Sequence, residues 1–462
     1  MITKQDIRTF KSIVGEQNTK TDKAHLIAYS YDATKMRFEP EIVIFPRDEK
    51  DVQDILIYCN KKHIIVVPRG AGSGFTGGAL PSSGGVLMSF EKHMNKLLEI
   101  DKNNMIAIVQ PGLINMKLQK AVEKEGLFYP PDPASEEYST IGGNVAENAG
   151  GMRAAKYGIT KDYVMAVEAV LPSGELIRAG KKTIKDVAGY NIAGLIVGSE
   201  GTLAVITKII LKLIPKPKMK KTYMGVFIDV TKAMNAVFKS LSNGASPVAM
   251  EFLDSLVINA LRQKGHKSIL DENAGAVLIG DVDGKNTAEI DDQLAILKNS
   301  FETNGSIDFV VAKNDNEANS LWQARRDASP SVTMYGELKL NEDISVPRSC
   351  LPQALEGIYN IGDKYGFKVP CFGHSGDGNI HVNLMIPDKN NKTQIDDGHK
   401  AIKEIFELVV NMGGTLSGEH GIGLSKAPYM HIAFNDDEMQ LFRAVKKAFD
   451  PNNILNPFKM GL

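Results

Sequence analysis

Pro68-Arg69-Gly70-Ala71-Gly72-Ser73-Gly74-Phe75-Thr76-Gly77-Gly78 is the stretch on which the fold assignment turns. Gly72, Gly74 and Gly77 satisfy G-x-G-x-x-G, a spacing that binds dinucleotides when a helix opens at the glycines and turns its N-terminus to a pyrophosphate. Here the chain continues Gly78-Ala-Leu-Pro81-Ser-Ser-Gly-Gly85, which cannot propagate a helix. A Rossmann site is thereby excluded. What remains is a long loop with many unhindered backbone N–H groups and one Arg, suited to an anion held by a nest of amides. A plain surface loop is the weaker alternative, because apolar runs at 64–67 and 86–90 enclose it.

Outward from that loop, residues 4–15 read as a short helix, 41–45 as a strand, 48–60 as an amphipathic helix capped by Asp48 or Asp51, and 64–67 as a buried strand. Such alternation predicts a mixed α and β domain. A second glycine-rich tract runs from Tyr129-Pro-Pro-Asp132-Pro-Ala-Ser135 to Thr140-Ile-Gly142-Gly143-Asn144-Val-Ala-Glu-Asn-Ala-Gly150-Gly151. Small residues at this density let a flat ligand lie against the backbone. Strands are expected at 164–171 and 176–179, and residues 194–207 close the region. The 215–221 segment, Pro-Lys-Pro-Lys-Met-Lys-Lys, reads as a solvated linker. Beyond it, strands at 223–230, 247–252, 275–282 and 309–312 and helices at 231–242 and 288–304 predict an antiparallel sheet with helices to one side. Residues 316–328 form a further helix with Trp322, Arg325 and Arg326, and 436–449 a last one.

Chemistry concentrates at His374-Ser-Gly-Asp377-Gly-Asn-Ile-His381-Val-Asn383. Period-two alternation over 380–386 predicts a strand with one face in a core and His381 and Asn383 on the other. A preceding strand at 369–373 brings His374 to the same end of a hairpin. After a helix at about 397–412, Ser417-Gly418-Glu419-His420-Gly421 adds a carboxylate and a third imidazole. Two His and one Glu are three N/O ligands with an open position, the pattern of a catalytic metal site. Hydrogen-bonded core histidines are the alternative, and on these residues alone both stand.

Composition narrows the class. The 462 residues are 43% hydrophobic and 24% charged with net charge −1, an ordinary globular composition with no pull toward nucleic acid. Three separated cysteines, Cys59, Cys350 and Cys371, imply no disulfide framework or Fe–S set and fit a reducing compartment. No signal-peptide or membrane-length apolar run is present, so a cytoplasmic location is expected, with contact at the inner membrane face through the 215–221 charges as the secondary reading.

Six motifs in this order, PRGAGSGFTGG, PPDPAS with TIGGNVAENAGG, GSEGTLAVIT, GHSGDGNIHVN, SGEHGIG and DPNNILNP, resemble the FAD-linked D-2-hydroxyacid dehydrogenases, the group of the glycolate oxidase FAD subunit and flavin-dependent D-lactate dehydrogenase. The resemblance spans nearly the whole chain. It implies an α+β fold: a two-lobed FAD-binding domain of vanillyl-alcohol oxidase (PCMH) type at 1–215, a ferredoxin-like cap at 216–425, and a segment at 426–462 that returns to the FAD domain.

Pro68, Arg69, Gly70, Ala71, Gly72, Ser73, Gly74 and Gly77 would then hold the FAD pyrophosphate. Asp132, Ser135, Gly142, Gly143 and Asn144 would line the flavin with Glu200, Gly201 and Ile206 from the closing strand, and Asn456 would face it. Relatives that attach FAD covalently use a His in or near the first loop; Gly74-Phe75-Thr76 implies non-covalent FAD. Arg325 of Trp322-Gln-Ala-Arg325 would bind a substrate carboxylate bidentately, with Ser329 one turn on, Asn383 in support and Lys339 a further candidate cation. His374, His381 and Glu419 would hold Zn, Mn or Fe, and His420 would be the general base, adjacent side chains facing different ways. The expected reaction converts a small D-2-hydroxy acid to the 2-oxo acid, with hydride passing to flavin N5 and electrons leaving to an iron–sulfur subunit, an electron-transfer flavoprotein or a quinone. Two rivals are a redox-silent metal hydrolase and a flavin-binding assembly subunit inactive alone. A homodimer is compatible with the sequence.

Overall fold

A computed structural model describes residues 1–266 and 272–462. The chain divides into two compact units: Met1–Gly151, Ile159–Lys216 and Glu419–Leu462 form the first, Met152–Gly158 and Pro217–Gly418 the second.

The first unit contains two main sheets. One has the order Thr19–Lys20, Ile42–Ile44, Val86–Ser89, Val66–Arg69, its last three strands parallel. Those three are nearly continuous apolar runs, as strands covered on both faces must be. The helix Glu49–Lys62 makes the crossover; Asp48 caps it by accepting from the Asp51 N–H, and His63 ends it at φ +52°. Its Val52, Ile55, Leu56 and Cys59 are buried in one cluster with Ile42, Ile44, Val66 and Val86. The second sheet is antiparallel, ordered Leu97–Asp101, Ile106–Val109, Val205–Lys212, Val164–Val170, Leu176–Gly180.

No helix follows Val66–Arg69: residues 70–85 form a loop, as the Pro81 segment requires. The 140–151 tract does contain a helix, Ile141–Glu147, whose N-cap Thr140 accepts from the Gly143 N–H and whose C-cap Asn148 is left-handed. Glu200 and Gly201 do not lie on the closing strand as expected. They occupy a left-handed turn (φ +51° and +69°) before it, and only Ile206 is in Val205–Lys212.

The second unit is built on one antiparallel sheet of seven strands, ordered Ser306–Val311, Met219–Phe227, Ala276–Gly284, Ala249–Asp254, Cys371–His374, Asn379–Ile386, Leu338–Ser345. Helices cover both of its faces, not one. Met224 and Val226 pack into the cluster of Trp322, Ala324 and Leu261, while Tyr223 and Phe227 meet Phe301 from the helix Thr287–Thr303. Alternation along one strand sends successive residues to opposite helical layers.

The histidine strand departs from expectation for the same reason. All eight residues of Asn379–Ile386 are buried, His381 and Asn383 included. Ile386 meets Gly398 of the helix Lys392–Asn411 on one side, and Met385 joins Ala328 and Val332 on the other. That helix begins five residues before the expected 397, and Asp315–Ser331 runs on through Ser329 and Pro330. The helix Ser255–Gln263 had no counterpart in the pattern reading. Among the described residues no helix is long and apolar enough to cross a membrane.

Candidate active site

Within the first unit, Pro68, Arg69, Gly70, Gly142, Gly143, Glu200, Gly201 and Ile206 come together around one cleft. The remaining expected positions are not on its wall. Ala71, Gly72, Ser73 and Gly74 are half-buried in the adjoining loop, Gly77, Asp132 and Asn144 are buried, and Ser135 is half-buried. Asn456, also buried, donates through Nδ2 to the Gly78 and Glu200 carbonyls, so it braces the wall from behind. Close backbone approach explains the glycines: a Cβ on Gly70 would lie 2.2 Å from Thr140 Oγ1, and one on Gly142 would lie 2.5 Å from Pro111 Cβ.

Of the charged groups beside this cleft, pattern reading named Glu200 and missed Glu147 and Lys459. Glu147 lines it, and its carboxyl is pushed well above the usual carboxylate range, first by burial and then by the Glu200 carboxylate. Glu200 is itself raised by burial, against the N–H groups of Ile422 and Gly423, each 2.7 Å from one of its oxygens. Burial lowers the Lys459 ammonium to about 8, against the pull of Glu200, Asp32 and Glu147. Its Nζ donates to the Leu80 carbonyl.

Glu419 and His420 belong to the same unit. The expected divergence of these neighbours is not found: Glu419 Oε1 lies 3.7 Å from His420 Nε2.

In the second unit the hairpin behaves as expected at its end. The His374 and His381 rings are 5.1 Å apart, nearly perpendicular, and both buried. Glu251, fully enclosed, joins His374 to Arg325: Oε1 accepts from His374 Nδ1 at 2.6 Å and Oε2 from Arg325 Nε at 2.7 Å. The Arg325 guanidinium also lies over the Phe372 ring, 4.8 Å from its centroid. Ser329 accepts from Lys339 Nζ at 2.8 Å. Asn383 spends its Nδ2 on the Pro370 and His381 carbonyls, and its buried Oδ1 has no partner. Asp343, across the ladder from His381, accepts from Ser417 Oγ and from the Gly418 N–H, pinning the chain up to Gly418. Glu251 was legible only as a carboxylate between apolar neighbours in a short strand.

Two family models match the chain: an FAD binding domain over residues 40–180 and the C-terminal domain of FAD linked oxidases over residues 216–460. Together they define an FAD-dependent oxidoreductase. Glycolate oxidase subunit GlcD of Bacillus subtilis (strain 168) is 41% identical, over 100% of this chain and 97% of its own length. A D-lactate dehydrogenase of Anaerostipes hadrus is 32% identical, over 99% and 98%. The chain belongs to the FAD-linked oxidases, in the family that holds these glycolate oxidase subunits and D-lactate dehydrogenases. In fold it is similar to p-cresol methylhydroxylase, with a TM-score of 0.80 at 17% identity over 100% of this chain and 98% of that one.

The cleft of the first unit fits FAD. Three buried polar atoms at or beside it, Arg69 Nε, Asn144 Nδ2 and Glu147 Oε2, have no protein partner. Buried polar groups left in that condition call for a ligand or water.

Proposed function

We propose that this chain oxidises a small D-2-hydroxy acid, of glycolate or D-lactate size, to the corresponding 2-oxo acid. The names of its relatives support that substrate class. The observation that carries the reading is the meeting of the His374–His381 pair, on the sheet, with Arg325, on the helix Asp315–Ser331 packed against it. The guanidinium engages Glu251 only through Nε, so both terminal nitrogens remain for a bidentate carboxylate.

His374 and His381 would hold a divalent cation with Glu419 as third ligand. Glu419 is assigned because the chain reaches it directly from Gly418, whose N–H is tied to the strand beside His381. Zn, Mn or Fe suits two imidazoles and a carboxylate, and such an ion lowers the pKa of a hydroxyl it binds. FAD supplies the two-electron acceptor for the C2 hydrogen. The rest falls to the protein. Arg325 clamps the carboxylate, with Ser329 and Lys339 adjoining and Asn383 bracing the His381 strand. His420 takes the hydroxyl proton at Nε2, where the Glu419 carboxylate 3.7 Å away stabilises the imidazolium.

FAD would be held non-covalently. Three separated cysteines make no Fe–S set, so electrons leave to another molecule: an iron–sulfur subunit, an electron-transfer flavoprotein or a quinone. The relative named as a subunit supports an acceptor that is another subunit of a complex. We place the reaction in the cytoplasm.

Anaerobic mixing of the FAD-loaded protein with paired D- and L-2-hydroxy acids tests this reading. D-lactate or glycolate should bleach the flavin and L-lactate should not. A flavin left oxidised by every acid, D-2-hydroxyglutarate included, would overturn it.

A further inference from the structure

We propose that Glu251 is a positioning residue that couples the two halves of the site: one carboxylate holds His374 with Nε2 presented to a cation and Arg325 with its terminal nitrogens presented to a substrate carboxylate. The inference rests on the ligand role of His374 and the anion-binding role of Arg325 proposed above.

Both oxygens of Glu251 are committed, Oε1 to His374 and Oε2 to Arg325, in a side chain with no exposure. A carboxylate facing a guanidinium accepts hydrogen bonds and does not donate them. His374 therefore carries its proton on Nδ1 and leaves the Nε2 lone pair for a metal, the arrangement in which an outer carboxylate orients a ligand imidazole. The carboxylate itself cannot wander. Glu251 lies opposite His374 in the ladder, on a strand paired along both edges. Phe372, two residues before His374, touches both halves of the site: its ring lies under Arg325 and 5.3 Å from the His381 ring.

Stability gives no account of this cluster. A buried ion pair barely recovers its own desolvation, and apolar residues of similar volume commonly do as well or better. A structural Glu–Arg pair also has no use for an imidazole on its second oxygen. Glu251 and His374 are 123 positions apart, and Glu251 and Arg325 are 74 apart. One rigid carboxylate therefore sets the spacing between a metal ligand and an anion clamp that come from different elements.

The test uses full-length, FAD-containing wild type, Glu251→Gln and Glu251→Asp, stripped of metal and titrated with Zn²⁺ against a chromophoric chelator. KM and kcat are measured for whichever 2-hydroxy acid the wild type oxidises. Glu251→Gln should weaken Zn²⁺ about 10–100-fold, the usual effect of losing an outer partner. It should also raise KM, and Arg325→Lys should cost less when combined with Glu251→Gln than alone. Glu251→Asp, which keeps the charge, should recover part of the Zn²⁺ affinity. Flavin absorbance and the thermal midpoint report folding.

A folded Glu251→Gln protein with wild-type Zn²⁺ affinity and KM would overturn the proposal and leave the ligand assignment standing. Wild type that binds no divalent cation would overturn both. Should the Glu251→Gln variant fail to fold, Glu251→Asp decides, and unchanged Zn²⁺ affinity there would sink the proposal.

Discussion

The Phe75 ring lies against the imidazole of His420, with centroids 5.1 Å apart and planes inclined by 31°. One residue on, Thr76 Oγ1 donates to the His420 carbonyl, and the Thr76 carbonyl accepts from the Leu424 N–H at 2.7 Å. The glycine-rich loop and the segment after Glu419 are thus one structure, although 344 positions separate Thr76 from His420.

His420→Ala should bind FAD with an ordinary flavin spectrum and lose reductive bleaching by D-lactate or glycolate by about 10²–10⁴-fold, the usual worth of a general base. Anaerobic stopped-flow absorbance reads this directly. Bleaching at the wild-type rate would remove His420 from the mechanism.

Gly142→Ala should lower both stability and FAD content. Its new Cβ would lie 2.5 Å from Pro111 Cβ and 2.9 Å from Pro111 Cα and O. Backbone and a proline ring cannot swing aside, so overpacking of about 1–3 kcal/mol is expected. Thermal unfolding and the flavin-to-protein absorbance ratio measure the two effects.

Flavin should leave the protein on acid precipitation. Gly74-Phe75-Thr76 offers no imidazole, thiol or phenol for attachment. A yellow pellet and a colourless supernatant would refute non-covalent binding.

Asp254 predicts a pH dependence of stability. Burial pushes its carboxyl up from 3.8 to about 6, although the Val257 and Cys371 N–H groups pull the other way. The folded state therefore holds the proton more tightly than the unfolded chain does. That contribution is complete below pH 3.8 and is lost as pH rises through 6, about 3 kcal/mol for a rise of this size. Asp254→Asn cannot titrate. Between pH 4 and pH 7 denaturation free energies should shift by about that amount in the variant's favour, and a difference independent of pH would contradict it.

Much of this protein was readable along the chain. Pro81 and the glycines around it forbid a helix after Arg69 whatever surrounds them, because the restriction is local to the backbone. The six ordered motifs, the cleft residues from Pro68 to Gly70, and the hairpin that joins His374 to His381 are local in the same sense. Period-two alternation placed His381 correctly across from the apolar side of its strand, yet said nothing of what covers the other face. Only the packing of Met385 against Ala328 and Val332 decided that both faces are buried.

Glu251 marks the limit most clearly. In sequence it is one carboxylate between apolar neighbours in a short strand, with neither partner within reach of any helical or strand period. Its meaning depends on which strands become neighbours in the seven-stranded sheet, a choice made by the summed burial of the whole unit. The same holds for Glu147 and Lys459. Local chemistry determined which residues are able to act, and tertiary packing decided which of them meet and how far their charges are shifted.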